Sequence, residues 1–469
     1  MNQVTFIILG ATGDLCKRKL IPAIYKLIEN NKLDRFAFIG VSFDKTDINT
    51  ILENSEKFIS KIDKNIWNKL KNASYYYQLD FYDNTSYHEL KNLIKHVETK
   101  HEINGNKLFY LATMPEHFKV ITKNLNDHKI ITKYNHENNC SECKHPWSRI
   151  VYEKPFGHDL KSAKEINRCI EKSFHENQIY RIDHYLGKEL VSNIALVRFT
   201  NRIFEPLWNN KNIDSVQIIL KEKIGIEGRG AFYDKYGAIK DVLQNHMLQI
   251  LSLIAMEQPK KLEAKYIRDA KAKVLKNIKF KNAILGQYEG YTQEHGVNPN
   301  SKTETFAALK LEINNKRWKN VPFYLKTGKH LNEKETSIHI KFKMVKCLLT
   351  QGCPTDSNYL TLKINPDQGF YLELNSKDPK SANNVVPVQM NFCHSCLLGP
   401  NTPEAYEYLI LDVIKGDQSA FVRSDEIEYS WKIIDQMNKN KFKIFNYPKN
   451  SSGPKELKLL DKKIIRWRS

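Results

Sequence analysis

The chain has 469 residues and a net charge of +20, from 73 Lys and Arg against 53 Asp and Glu. That length calls for two or three domains at about 100–200 residues each, and 41% hydrophobic with 11% aromatic residues excludes a disordered chain. No apolar run reaches the roughly 20 residues of a membrane span, and the Lys excess, dispersed among Asn and Glu as in 61–71, reads as surface composition and not as a nucleic-acid track.

The first ten residues lack a basic region and a small-residue cleavage site, so they read as a strand and not as a signal peptide, with the cytoplasm as the expected location. Val4–Leu9 is a continuous apolar run ending at Gly10, and Leu20, Ile21, Ile24, Leu27 and Ile28 then recur at helical spacing. Phe36–Ile39, Lys107–Ala112 and Arg149–Tyr152 are further buried strands. Buried strands separated by helices predict an α/β N-terminal domain with a parallel, Rossmann-like sheet. Gly10-Ala-Thr12-Gly13-Asp14-Leu15-Cys16, between strand and helix, fits a dinucleotide site, because glycine lets the backbone approach a pyrophosphate at a helix start. An ordinary strand-to-helix turn is the alternative.

After the second strand, Gly40-Val-Ser-Phe43-Asp44-Lys45 stands where such folds choose their cofactor. A carboxylate there bonds the ribose 2′-OH of NAD, whereas Arg pairs with the 2′-phosphate of NADP. Asp44 points to NAD, while Lys45 and Lys17-Arg18-Lys19 keep NADP open. Glu153-Lys154-Pro155-Phe156-Gly157 places Lys154 at the carboxyl edge of the sheet, or else simply ends a strand. In Arg181-Ile-Asp183-His184-Tyr185-Leu-Gly-Lys188-Glu189, an N-cap at Asp183 would set His184 and Lys188 on one helix face, either as donors to a phosphate or as a solvated face.

The pattern changes near residue 182, which divides the chain into a dinucleotide-binding domain, 1–181, and a larger α+β domain, 182–469. Apolar residues recur at every second position in Ser215–Leu220, Thr305–Ile313, Thr336–Phe342, Tyr359–Ile364 and Gly369–Leu374, which predicts an antiparallel sheet. Glu222 shares the inward face of Val216, Ile218 and Leu220, where a carboxylate needs a partner or a polar cavity. One helix is expected over Gly237–Glu257, closed by Pro259, with Asp241 and with His246 beside Val242, Leu243 and Ile250. His246 is either a satisfied core histidine or a general base.

The eight cysteines are too scattered for a disulfide framework and read as mostly reduced thiols. Cys140-x-x-Cys143-x-His145 and Cys393-His394-x-Cys396 have zinc-like spacing, but they lie far apart in sequence and no metal is expected. The Lys-, Pro- and Ser-rich end after Asn446 reads as a poorly packed tail.

In order and spacing, Gly10–Leu15 with Lys17–Lys19, Glu153–Gly157, Arg181–Glu189, Asp241 with Gln244–Gln249, Val321–Lys329, and Asn401–Tyr406 running to Phe421–Asp425 resemble the glucose-6-phosphate dehydrogenase family over nearly the whole chain. The resemblance implies oxidation of D-glucose 6-phosphate to 6-phospho-D-glucono-1,5-lactone with hydride transfer to NADP, the first step of the oxidative pentose phosphate pathway. It implies that His246 is the general base and Asp183 the carboxylate that orients it. His184, Tyr185 and Lys188 would bind the phosphate, and Glu222, Asp241, Lys19 and Lys329 the sugar. Gly10, Thr12, Gly13, Asp14, Leu15, Phe43, Asp44, Lys154 and Pro155 would form the cofactor site. It implies a cytoplasmic homodimer or homotetramer without a nucleic-acid or membrane partner.

Two positions depart from the family pattern. Phe43, followed by Asp44, stands where NADP-using members carry Arg, which predicts a weakened NADP preference and leaves NAD open as a second cofactor, with NADP still the family default. Lys326 replaces a usual arginine. The alternatives are a glucose-fructose oxidoreductase-like sugar dehydrogenase and a non-catalytic Rossmann-type binding protein.

Overall fold

The six strands of the N-terminal part are β1 (Gln3–Leu9), β2 (Arg35–Ser42), β3 (Ser74–Gln78), β4 (Lys107–Leu111), β5 (Ser148–Tyr152) and β6 (Ile179–Ile182). The computed structural model describes residues 3–131, 146–345, 357–366, 368–380, 385–393, 405–462 and 466–468. β1 is apolar on both sides because both sides are covered: Val4, Phe6 and Ile8 pack with Ile21, Ile24 and Ile28, while Ile7 and Leu9 pack with Leu90, Ile94 and Ile121. Helices on both faces of a parallel sheet make the doubly wound arrangement, and the strand order 3-2-1-4-5-6 reverses direction between β1 and β4. Ligands of such sheets bind beyond the carboxyl ends at that reversal, which is where Gly10 follows β1.

The later strands are β7 (Ile213–Lys221), β8 (Ile278–Tyr288), β9 (Phe306–Ile313), β10 (Pro322–Gly328), β11 (Glu335–Phe342), β12 (Tyr359–Asn365), β13 (Gly369–Lys377), β14 (Val385–Cys393), β15 (Phe421–Val422) and β16 (Ile444–Tyr447). β15 returns to the first sheet, antiparallel to β6. The others form a nine-stranded sheet ordered 14-13-12-11-7-10-9-8-16. It is mixed and not purely antiparallel, since β10 runs parallel to β7 and β16 parallel to β8. One compact unit comprises Met1–Lys188, Leu262–Arg268 and Pro403–Glu428, and the other Glu189–Lys261, Asp269–Thr402 and Tyr429–Ser469.

The predicted helix over 237–257 is present from Ile239 to Ala255, and it is set off from the helix before it by Gly237, whose φ of +63° no ordinary side chain adopts readily. The preceding helix spans Gly230–Ala238, a π-helical segment runs over Ile239–Met247, and an α-helix continues over Leu248–Ala255. The end of the chain is packed in its described part, because β16 supplies one aromatic that the polar composition conceals. Tyr447 is fully buried, donates to the Lys329 carbonyl at 2.7 Å and lies 3.0 Å from the Thr305 hydroxyl. Tyr447→Phe should therefore cost about 1–2 kcal/mol, visible as a lower melting temperature. A melting curve identical to that of the parent protein would mean that these bonds contribute nothing.

Candidate active site

The loop after β1 is shaped for close approach. Gly10 has a φ of +92°, and a Cβ there would fall 2.6 Å from the Ala112 carbonyl oxygen. The Gly13 amide bonds the Gly10 carbonyl at 3.0 Å, and helix begins at Asp14 and Leu15. A loop too tight for side chains, opening a helix at the strand reversal, fits the diphosphate of a dinucleotide. Asp14 is held by Lys17 at 3.1 Å and Arg18 at 3.3 Å, and Lys19 lies in the π-helical turn Cys16–Leu20 that follows.

Thr12 and Asp44 meet beside this loop. The Thr12 hydroxyl donates to Asp44 Oδ2 at 2.5 Å and lies 2.8 Å from the Ser42 hydroxyl, while Tyr76 donates to the Asp44 carbonyl at 2.5 Å. Phe43 is 63% exposed, a large apolar ring just past the carboxyl end of β2. The peptide between Lys154 and Pro155 is cis. Next to it, Glu153 accepts from Tyr110 at 2.5 Å and from Tyr406 at 3.2 Å, and burial pushes its carboxyl upward. These tyrosines lie about 40 and 250 residues away in sequence, so no local pattern reveals them.

The window after β6 corrects one expectation. Asp183 does not cap a helix: its Oδ1 accepts from the Tyr185 amide at 3.0 Å, and two further turns follow, Leu186 N to Asp183 O at 2.9 Å and Lys188 N to Tyr185 O at 3.1 Å. The helix starts only at Glu189. His184 and Lys188 therefore stand on consecutive turns and not on one helix face. They still cluster around one ring, with the His184 and Tyr185 centroids 4.9 Å apart and the Lys188 ammonium 3.9 Å from the Tyr185 centroid. Asp183 is 2% exposed.

In the second unit, Lys329, 1% exposed, donates to Glu222, the partner a carboxylate on that inward face requires. The strand register sets the pair: the Glu222 amide bonds the Gly328 carbonyl at 3.0 Å, and the Leu331 amide bonds the Glu222 carbonyl at 3.0 Å. The Lys329 ammonium also lies 5.2 Å from the Tyr233 ring centroid. Tyr233 is buried, and its hydroxyl is held well above its ordinary range by burial and by Asp241, Glu304 and Glu222. Asp241 and His246 sit on the π-helical segment. Its turns close at an interval of five residues, so this pair falls on one side of the helix, where an α-helix would turn them apart. His246 is 2% exposed. Residue patterning singled out Glu222 and His246, and the family resemblance added Asp241 and Lys329, but neither pointed to Tyr233, Glu304 or the π turn; Gly237 is the local signal of a kink.

Lys326 points elsewhere, three residues before Lys329 on β10 and so toward the opposite sheet face. Burial and the neighbouring Lys221 pull its ammonium down to about 7, and it lies 4.7 Å from the Trp467 centroid. Lys221 is itself paired with Glu333 and Glu335, each at 2.8 Å.

Among the described residues no cluster of three or more His, Cys, Asp or Glu is arranged to hold a metal, and no helix is long and apolar enough to cross a membrane. Among the described cysteines, Cys16 and Cys169 are free thiols and Cys393 is disulfide-bonded. Cys140, Cys143, His145, His394 and Cys396 lie outside the described residues.

The doubly wound sheet and its glycine loop define a dinucleotide-binding protein of the Rossmann class, here joined to a mixed-sheet domain with a polar, largely buried site. Residues 7–193 match the model of the glucose-6-phosphate dehydrogenase NAD-binding domain, and residues 195–468 match that of the C-terminal domain of the same family. The chain is 40% identical to the glucose-6-phosphate 1-dehydrogenase of Chlamydia pneumoniae, over 98% of this chain and 95% of that one. It is also 40% identical to that of Bacillus subtilis, over 99% and 98%. A solved glucose-6-phosphate dehydrogenase in complex with glucose 6-phosphate superposes with a TM-score of 0.88 at 34% identity, covering 98% of this chain and 97% of that one. The Mycobacterium avium enzyme gives 0.87 at 32% identity, covering 100% and 98%. The chain belongs to the glucose-6-phosphate dehydrogenase family.

Proposed function

We propose that the chain oxidises C1 of D-glucose 6-phosphate to 6-phospho-D-glucono-1,5-lactone. A nicotinamide dinucleotide, when bound, supplies the hydride acceptor. Gly10, Thr12, Gly13, Asp14, Leu15, Lys154 and Pro155 hold it, with Phe43 and Asp44 at the adenine ribose. His246 takes the proton from the C1 hydroxyl, and a buried imidazole suits that role because water does not compete for the base. Asp183 keeps the orienting role that the resemblance gives it. Glu222 and Asp241 accept from sugar hydroxyls while Lys329 and Lys19 donate. His184, Tyr185 and Lys188 offer closely spaced donors to the phosphate, where charge-assisted bonds are strongest.

The Glu222–Lys329 pair carries this reading. An ion pair whose lysine is buried and whose glutamate is half-buried, beside a buried tyrosine and a helix bearing Asp241 and His246, desolvates a charge at some cost to stability, and it presents donors and acceptors of the kind a polyol needs. Turnover followed by nicotinamide absorbance is expected with glucose 6-phosphate at a kcat/KM on the order of 10³ above that with glucose, since two or three charge-assisted bonds at roughly 1.5–3 kcal/mol each are lost with the phosphate. Equal or better activity on free glucose would favour a glucose-fructose oxidoreductase-like enzyme. Lys329→Met should lower kcat/KM for the sugar by roughly 10²–10³-fold, because it strands Glu222 as well as removing a donor.

The same reading includes a weakened NADP preference with use of NAD, supported by Asp44 and by the absence of Arg at Phe43. It also includes a cytoplasmic homodimer or homotetramer. An Arabidopsis thaliana relative, 38% identical, is named cytoplasmic, and β14 at the edge of the second sheet exposes Val388 and Met390, a face suited to a second copy.

A further inference from the structure

Two neighbouring residues before β9 hold most of the second unit's polar site. The Glu304 carboxylate accepts from the Ile239 amide at 3.0 Å, and its main-chain carbonyl accepts from the Ala238 amide at 2.9 Å. Both bonds fall on the first residues of the helical segment that carries Asp241 and His246. The fit excludes a side chain at Gly237, where a Cβ would come within 2.4 Å of Glu304 Oε1. Thr305 continues the attachment. Its carbonyl accepts from the Lys329 amide at 2.9 Å, its amide donates to the Gly286 carbonyl at 2.8 Å, and its hydroxyl lies 3.0 Å from that of Tyr447, which bonds the Lys329 carbonyl.

We propose that Glu304 is a positioning residue for the sugar reaction: it clamps the start of the Asp241–His246 helix to the strand whose next residue fixes Lys329, so that base, acceptor and donor keep one geometry. This rests on the function proposed above. A free helix N-terminus leaves amides without partners, and an anchored one fixes the register of everything on its first turns. A five-residue interval such as that between Asp241 and His246 depends on the π turn persisting, and such turns are costly enough to need support from outside the helix.

The clamp is expensive in a way that a purely structural contact need not be. Glu304 keeps part of its surface exposed, but its carboxylate is desolvated, which pushes it from an ordinary 4.5 up to about 7 against the opposing pull of the Ile239 amide and Lys240. Tyr233 and Tyr291 face it from neighbouring elements, each with its hydroxyl raised in part by this carboxylate. Because the folded-state value lies above the unfolded one, the stabilising contribution is complete below about pH 4.5 and is lost as the pH rises through about 7. At alkaline pH the protein therefore keeps a buried charge at the cost of stability.

The test compares Glu304→Ala and Glu304→Gln in the full-length enzyme. Glu304→Ala is expected to lower kcat/KM for glucose 6-phosphate by roughly 10–100-fold, the scale of a misplaced catalytic group, with the dinucleotide KM unchanged. Glu304→Gln, which keeps the acceptor oxygen without the charge, should recover most of that loss and should gain in melting temperature over the parent as the pH is raised from about 6 to about 8.5. If the alanine protein does not fold, Glu304→Asp, one methylene too short to reach Ile239, is read in its place. A truncated variant with parent-like kcat/KM, a loss that falls equally on the dinucleotide, or a folded glutamine protein that recovers nothing would each overturn the inference. A parent enzyme inactive on glucose 6-phosphate would overturn the proposed function instead.

Discussion

Alanine at position 246 is expected to lower kcat for glucose 6-phosphate oxidation by roughly 10²–10⁴-fold, the range that a well-placed general base contributes. KM for the sugar should change little, because an interaction made mainly in the transition state lowers kcat and kcat/KM together. His246 is 2% exposed on a helix whose neighbours Val242, Leu243 and Met247 are also buried, so the substitution also removes packing. Far-ultraviolet circular dichroism and a melting curve must accompany the kinetics, and Glu222–Lys329, on other elements, should be unaffected. Partial recovery with added imidazole would separate loss of the base from loss of the fold. Near-parental turnover in a folded His246→Ala protein would remove His246 from the mechanism and leave the histidine as a core residue.

The sequence made the first unit legible because its rules are local. A continuous apolar run such as Val4–Leu9, a glycine at its end and a helical period after it belong to one crossover, and three such crossovers predict a parallel sheet. β3 was harder: Ser74–Gln78 is three tyrosines between polar residues, neither an apolar run nor an alternation. The second unit was legible in its strands but not in their directions. Alternation in Val216, Ile218 and Leu220 says that one face is covered; it does not say that β10 lies parallel to β7. The site followed the same division. Glu222 and His246 stood out as polar groups set among apolar ones, and Asp241 and Lys329 entered through the family resemblance, whereas Glu304 and Tyr447 act through main-chain amides and carbonyls brought together by folding. Asp183 was misread because an Asx turn and a helix N-cap use the same side-chain acceptor, and only the conformation of the next residues separates them.

Cofactor choice is the second large expectation, and it turns on the Asp44 environment. The wild-type ratio of kcat/KM for NADP over NAD is expected to be near or below one. A 2′-phosphate arriving beside Asp44 would meet a carboxylate already fixed by Thr12 at 2.5 Å, and one so held cannot easily turn away. The basic residues nearby offer limited compensation: Lys17 and Arg18 are engaged with Asp14, although pairs this exposed are weak and can be exchanged. Lys45 is exposed. A ribose 2′-hydroxyl, by contrast, can donate to the carboxylate, and the exposed Phe43 ring can lie against adenine whichever cofactor is bound. Replacing Phe43 with Arg and Asp44 with Thr together should raise the NADP/NAD ratio by roughly 10–100-fold, since one new charge-assisted bond to the phosphate contributes about 1.5–3 kcal/mol. Asp44→Asn alone should raise it less, because it removes the repulsion without adding a donor of opposite charge. The two substitutions separate the causes: if Asp44→Asn accounts for the whole change, repulsion alone sets the preference, and if neither protein shifts the ratio, selection lies elsewhere in the loop and Asp44 serves only to hold Thr12.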